Sequence, residues 1–271
     1  MKYRDIFEDL KQRKENQDDL AYVYRYGKKM SQIDFMRQLD LDISEDDLYF
    51  IYEISNRLEN YEPAQYLVGD TDFYNLNLKL DKRVLIPRPE TEELVDLILR
   101  DNSSKDGLKI LDLGTGSGAI GLSLKKAKPS WEITLADLSD DALEVARENA
   151  LFNNLAVDTI KSDVFSNIFE KFDIIVSNPP YISQDEVKYM DRSVLEYEPN
   201  MALFADNDGL LIYQKIAQEA SDYLKEEGRI YLEIGFKQAS AVQDLFTKNM
   251  PNKKVQIFQD FAGVDRMVRL D

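Results

Sequence analysis

The spacing of apolar residues changes twice along the chain. Up to about Tyr61, apolar and small residues return every three or four positions, as in Leu48, Ile51, Tyr52, Ser55 and Leu58. That is the period of a helix with one buried face. "YRDIFEDLKQ" and "SQIDFMRQL" carry the same pattern, and Ser44-Glu45-Asp46-Asp47 resembles a capping box, with an acid at the third helical position. Residues 1–61 are therefore expected to form a small helical domain. Over 62–89 the period drops to two: Phe73, and then Leu76, Leu78 and Leu80, alternate with polar residues, which predicts a short hairpin connector. "RPETEELVDLILRDN" opens with proline and acids and turns apolar at helical spacing, as a helix start should.

From Leu108 onward the two periods alternate. "LKILDLG", "WEITLAD", "VDTIKSD", "FDIIVSNPPY", "RIYLEIG", "KKVQIFQD" and "DRMVRLD" read as strands. Between them "AIGLSLKKAK", "SDDALEVARENALFN" and "QASAVQDLFTKN" read as helices, and "GLLIYQKIAQEASDYLKEEG" as one long helix ended by Gly228. Such alternation predicts an α/β domain over 90–271, built on a doubly wound, mostly parallel, seven-stranded sheet.

Composition narrows the chemistry. The chain of 271 residues has no cysteine and no histidine. That removes the thiolate nucleophile, the commonest general base and the commonest transition-metal ligands. No metal site is expected, and any reaction must run on carboxylates, amides, backbone dipoles or a cofactor. No apolar run approaches membrane-spanning length, and the charged N-terminus lacks a signal-peptide core, so the expected location is cytoplasmic, with no membrane partner. The net charge of −17 argues against direct nucleic-acid binding, which draws on lysine and arginine to neutralise phosphates. "KQRK" and "LKKAKP" are short and look like helix surfaces.

Two motifs carry the functional signal. In "LDLGTGSGAIG", Gly114, Gly116 and Gly118 permit a tight turn and close approach of a ligand to the backbone, and the next helix aims its positive end at the same place. Asp137 ends the next strand about twenty residues past Gly118, where an acid accepts hydrogen bonds from ribose hydroxyls. Gly116-x-Gly118-x-x-Gly121 also satisfies a dinucleotide pattern, but in a dinucleotide site the first glycine of that pattern lies closer to the strand end. The G-x-G-x-G run after Asp112 resembles the first motif of class I S-adenosylmethionine-dependent methyltransferases, a Rossmann-like class.

The second motif is Asn178-Pro179-Pro180-Tyr181, at the end of an apolar strand. The plainest reading is a strand stop, since proline cannot donate to a ladder. The sharper reading is a rigid acceptor site. The lone pair of a planar NH2 group is tied up in conjugation. The Asn178 side-chain oxygen and the Pro179 carbonyl can accept its two N–H bonds, aim the nitrogen and stabilise the positive charge that grows on it. Pro179 has no N–H to compete, and its fixed φ holds the carbonyl still. Tyr181 can pack on the amide plane. Asp163, in "KSDVF", is placed to hydrogen-bond an adenine amino group, or else to cap a helix over "FSNIF". "IPRPETE" brings Glu90 and Thr91 toward the cofactor's methionine moiety, or simply starts a helix.

Taken together, "EPAQYLVGDTDFYNLNLKL", "VLIPRPETEELVD", "ILDLGTGSGAIGLSL", "VSNPPYIS", "EPNMALFADNDGLLIY" and "YLEIG" resemble the release-factor glutamine methyltransferases, from about Glu62 to the C-terminus. The resemblance implies S-adenosylmethionine as cofactor, in a pocket of Gly114, Thr115, Gly116, Ser117, Gly118, Asp137 and Asn178. It implies Asn178, Pro179, Pro180 and Tyr181 as the amide-binding motif. The substrate it implies is the glutamine of the Gly-Gly-Gln loop of bacterial class I peptide chain release factors, gripped by the helical domain. Val164 departs from it, standing where some relatives carry an aromatic residue against adenine. DNA adenine-N6 methyltransferases share the Asn-Pro-Pro-Tyr motif, but the acidic balance and the lack of an evident target-recognition domain argue against them. A glutamine of a ribosomal protein is the alternative substrate that the catalytic motifs leave open. A non-catalytic binder of a translation factor would not need both motifs intact.

Overall fold

The computed structural model describes residues 1–271. The chain forms two compact units, Met1–Thr71 with Met190–Tyr197, and Asp72–Tyr189 with Glu198–Asp271. No helix is long and apolar enough to cross a membrane.

The first unit holds α1 (Tyr3–Arg13), α2 (Leu20–Gly27), α3 (Gln32–Gln38), α4 (Glu45–Glu59) and α5 (Ala64–Val68). Their apolar faces meet in a core that includes Tyr3, Ile6, Tyr24, Ile51, Ile54 and Leu58. Ser44 caps α4 by accepting from Asp47 N at 3.2 Å, while the Asp47 carboxylate binds the Tyr3 hydroxyl and Lys28. The later helix α9 (Arg192–Tyr197) joins this unit: the Tyr197 hydroxyl donates to Asn60 O at 2.9 Å, and the Arg192 guanidinium lies 4.4 Å from the Tyr61 ring centre.

A hairpin follows, β1 (Asp70–Phe73) paired with β2 (Leu76–Lys79). Its two turn residues, Tyr74 and Asn75, both have positive φ (44° and 61°), the turn hand that matches strand twist.

The second unit is built on a seven-stranded sheet: β3 (Lys109–Leu113), β4 (Glu132–Asp137), β5 (Asp158–Lys161), β6 (Phe172–Ser177), β7 (Leu224–Glu233), β8 (Val255–Gln259) and β9 (Asp265–Leu270). The order is β5-β4-β3-β6-β7-β9-β8, parallel except for β9, which runs antiparallel to both neighbours. Alternate residues face opposite sides, as a pleated strand requires. Ile110, Ile133, Leu135, Ile174 and Val176 pack against α6 (Pro89–Asp101), α7 (Ala119–Ala127) and α8 (Asp140–Phe152). Leu111, Leu113, Ile175, Ile230 and Leu232 pack against α12 (Leu211–Tyr223) and α13 (Ala239–Asn249). A single-turn helix, α10 (Asn200–Leu203), and a tight turn, α11 (Asp206–Gly209), in which Asn207 and Asp208 have left-handed φ of 57° and 56°, lead into α12. Helices on both faces make the sheet doubly wound, as the alternation predicts.

The long helix expected to run to Gly228 ends at Tyr223, and the chain is already strand from Leu224. Leu224 pairs with Phe172, and the ladder resumes only at Arg229 opposite Ile174, so Lys225–Gly228 bulge outward. The bulge lets Leu224 enter the core while Lys225 reaches Asp173 at 2.7 Å. A Cβ on Gly228 would come within 2.7 Å of Leu224 Cγ, so this glycine serves the bulge and not a helix end.

From β3 the chain crosses by α7 to β4 on one side, while β6 lies on the other. This reversal opens a crevice at the carboxyl ends of β3, β4 and β6, where open α/β sheets bind ligands.

Candidate active site

The glycine-rich loop leaves β3 into that crevice. Gly114 and Gly116 have φ of 68° and 56°, a region that residues with side chains rarely enter. A Cβ on either would meet nothing within 4 Å, and both border the pocket, so they leave its space open against bare backbone. Gly118 serves the helix instead. It starts α7 with φ 85°, and a Cβ there would come within 2.8 Å of Leu122. The loop is held from behind. Asp112 Oδ2 accepts from Thr115 Oγ1 at 2.7 Å and from Gly121 N at 3.0 Å, and Asn149 Nδ2 donates to Ser117 O at 2.9 Å. Burial pushes the Asp112 carboxyl up to about 6, against the pull of the Thr115 hydroxyl and the Gly121 N–H.

Asp137 ends β4 on the pocket wall. Its Oδ2 accepts from Gly116 N and its Oδ1 from Ser139 N, both at 2.9 Å. Burial raises its pKa, and these backbone donors oppose the rise.

β6 ends beside β3, latched by Ser177 Oγ donating to Leu113 O at 2.7 Å. Asn178 follows. Its Nδ2 donates to Thr91 Oγ1 at 3.3 Å, and Thr91 Oγ1 donates to Glu233 Oε2 at 2.7 Å. Glu233, at the end of β7, is 2% exposed. Burial lifts its carboxyl to about 7; the Thr91 hydroxyl, Arg266 and the Asn178 amide pull it down, and Glu90 pushes it up. The Tyr181 carbonyl is fixed by Gln238 Nε2 at 2.9 Å. Gly209, with φ 79°, lies so close that a Cβ would stand 2.0 Å from that carbonyl oxygen.

A second buried acid ties two walls together. Glu198 Oε2 accepts from Ile86 N at 3.1 Å and its Oε1 from Arg88 Nη2 at 2.5 Å, joining the "IPRPE" loop to the "EPNMA" segment. The pocket so enclosed has about 1170 Å³ of empty space, its open mouth included.

The structure brings Thr91, Gly114, Thr115, Gly116, Ser117, Asp137, Asp163, Asn178, Pro179 and Pro180 to this pocket. Gly118, Glu90 and Tyr181 are not among its lining residues. Tyr181 packs on the core beneath α12 and α13, where burial raises its hydroxyl to about 12. Asp163 caps no helix, since the residues after it, 164–167, form a turn; its carboxylate binds Lys215 Nζ at 2.8 and 2.9 Å. The next residue, Val164, has φ 49°, a strained conformation for a β-branched side chain. Glu198 and Glu233 do not stand out in the sequence. The available signal for Glu233 is an acid inside the apolar run "RIYLEIG", since a buried charge is rare without a function.

The sheet order and the crevice at its switch point define a class I methyltransferase fold. A family model described as "Methyltransferase small domain" matches residues 92–196. A solved methyltransferase from Pyrococcus furiosus superposes with a TM-score of 0.55 at 19% identity, over 84% of this chain and 98% of that one. The release factor glutamine methyltransferase of Streptococcus pneumoniae is 50% identical over 97% of this chain and 95% of its own length. That of Lactococcus lactis is 50% identical over 92% of each. The chain belongs to the release factor glutamine methyltransferase family.

Proposed function

We propose that this chain binds S-adenosylmethionine in the pocket and transfers its methyl group to the side-chain amide N5 of the glutamine in the Gly-Gly-Gln motif of bacterial class I peptide chain release factors. The observation that carries this reading is the Asn178 carboxamide. Its Nδ2 is tied to Thr91 on the pocket wall, and its Oδ1 takes no hydrogen bond from the protein. A planar NH2 group needs such a fixed acceptor.

The residues present fit the cofactor. Gly114 and Gly116 leave room against the backbone, Asp137 offers carboxylate lone pairs at the strand end, and the space suits a nucleoside-sized ligand. When bound, the cofactor supplies an electrophilic methyl group on a sulfonium. The Asn178 Oδ1 and the Pro179 carbonyl accept the two N–H bonds of the target amide and hold its nitrogen toward that methyl. As positive charge grows on the nitrogen, these two fixed dipoles stabilise it without reorganising. No general base is needed, because the proton becomes acidic as the new bond forms and leaves to solvent. The helical unit would grip the body of the release factor; Ile33 and Met36, one turn apart on α3, are 65% and 52% exposed and available for such a contact.

Incubating the protein with methyl-labelled S-adenosylmethionine and, separately, a release factor, a ribosomal protein and adenine-containing DNA tests this. Label on the Gly-Gly-Gln glutamine alone is the expected result. Label on ribosomal protein or DNA, with the release factor untouched, overturns it.

A further inference from the structure

We infer that Glu233 is a positioning residue that sets which way round the Asn178 carboxamide faces, acting through the Thr91 hydroxyl. The inference rests on the amide-methylation reading above and adds the part that makes Asn178 an acceptor.

An asparagine side chain is nearly symmetric in shape, and its two ends differ only in hydrogen-bonding sense. Turned one way, it offers an acceptor to the target amide. Turned the other way, it offers a donor that repels the N–H bonds it should hold. Something nearby must choose. An ionised carboxylate can only accept. Glu233 Oε2, 2.7 Å from Thr91 Oγ1, therefore commits the threonine hydrogen to itself. The hydroxyl oxygen is then left with lone pairs alone and can only accept from its other neighbour. That neighbour is Asn178, 3.3 Å away, which must present Nδ2. Oδ1 is thereby turned to the pocket. The polarity of the whole chain of bonds starts at one acid.

The placement of that acid is costly and specific. Glu233 is 2% exposed, and Thr91 is 4% exposed, within the first turn of α6. Charged and titratable groups face the carboxylate from several elements: Arg266 on β9, Glu90 on α6, and Tyr181 after β6, while the Tyr213 hydroxyl on α12 donates to the Glu233 carbonyl at 2.8 Å. Arg266 favours the negative form but does not outweigh burial, and its own Nη1 donates to Ile234 O at 3.3 Å. Nothing in this packing requires a carboxylate for the fold alone; an amide of the same shape would fill the space. A glutamine, however, can donate to Thr91 and release the hydroxyl to turn toward Asn178.

Glu233→Gln, Thr91→Val and Thr91→Ser test the relay. In single-turnover methylation of a release factor, Glu233→Gln and Thr91→Val should lose about tenfold to a hundredfold in rate, less than removal of a group that touches the substrate. S-adenosylmethionine affinity of Glu233→Gln by calorimetry should stay within about twofold, and Thr91→Ser, which keeps the hydroxyl, should recover most of the rate lost in Thr91→Val. The wild-type rate should rise with pH through the ionisation of Glu233, and the Glu233→Gln rate should lack that rise. Independently of any substrate, the Asn178 carboxamide protons in 15N-labelled protein should exchange slowly in the wild type and at least about tenfold faster in Glu233→Gln and Thr91→Val. Unchanged carboxamide exchange in both variants, or wild-type rates in both, overturns the relay. A wild type that fails to methylate the release factor counts against the proposed function instead, and the exchange measurement then decides the relay by itself.

Discussion

Asp137 serves two neighbours at once. Its oxygens hold Gly116 N and Ser139 N, and so shape both the glycine-rich loop and the start of α8, while its remaining lone pairs border the pocket. Asp137→Ala should weaken S-adenosylmethionine binding by about tenfold to a hundredfold, the equivalent of one charge-assisted hydrogen bond at about 1.5–3 kcal/mol. Calorimetry decides this, and an unchanged affinity with an intact fold would remove Asp137 from the cofactor site. Asp137 is legible in the sequence because strand end, glycine loop and spacing converge on it. Asn178 is legible because two prolines after an apolar strand demand a reason. Glu233 is not, since its partner Thr91 lies far away in the chain and only the fold brings the two together. Asp163 is legible as a pocket residue, but its pairing with Lys215 depends on where α12 lands.

At the scale of elements, α7 lies close on β4 because Gly121 has no side chain. A Cβ there would stand 2.3 Å from Leu135 Cδ2, 3.0 Å from Asp112 Oδ2 and 3.1 Å from Ile133 Cγ2. Gly121→Ala gains about 1 kcal/mol of helix propensity. It loses about 1–3 kcal/mol to overpacking, because Leu135 is fully buried and has nowhere to go. A net loss of stability in urea unfolding is therefore expected, with weakened S-adenosylmethionine binding as the Asp112–Gly121 bond is pushed apart. Equal or greater stability would show that the helix simply slides on the sheet. Most strands and helices are readable because their period is set by which face is buried. The end of α12 misleads for the same reason. Ala217, Ala220 and Leu224 continue a helical spacing, and Gly228 imitates a helix stop. Only the pairing of Leu224 with Phe172 turns that stretch into strand.

Across the whole molecule, burying acids makes stability depend on pH. Glu233 ionises near 4.5 when unfolded and near 7 when folded. The folded state therefore holds this proton more tightly. The contribution is fully present below about pH 4.5 and is lost as pH rises through about 7, a change on the order of 3 kcal/mol. Asp112, raised to about 6, adds a change of the same sign. Measured by urea unfolding without cofactor, the stability of Glu233→Gln relative to wild type should grow between about pH 5 and pH 8, while the Asp112 contribution stays common to both. Parallel stability curves for the two proteins would show that Glu233 is not perturbed as its burial implies.

The central claim is that Asn178 presents a fixed acceptor to an amide nitrogen. Single-turnover methylation of an intact release factor by Asn178→Ala, with S-adenosylmethionine affinity measured alongside, tests it most directly. Removing one preorganised dipole where charge develops should slow the reaction by about a hundredfold to a thousandfold, while cofactor affinity changes little. A near-normal rate in Asn178→Ala would contradict the account and reduce Asn178-Pro179-Pro180-Tyr181 to a strand stop.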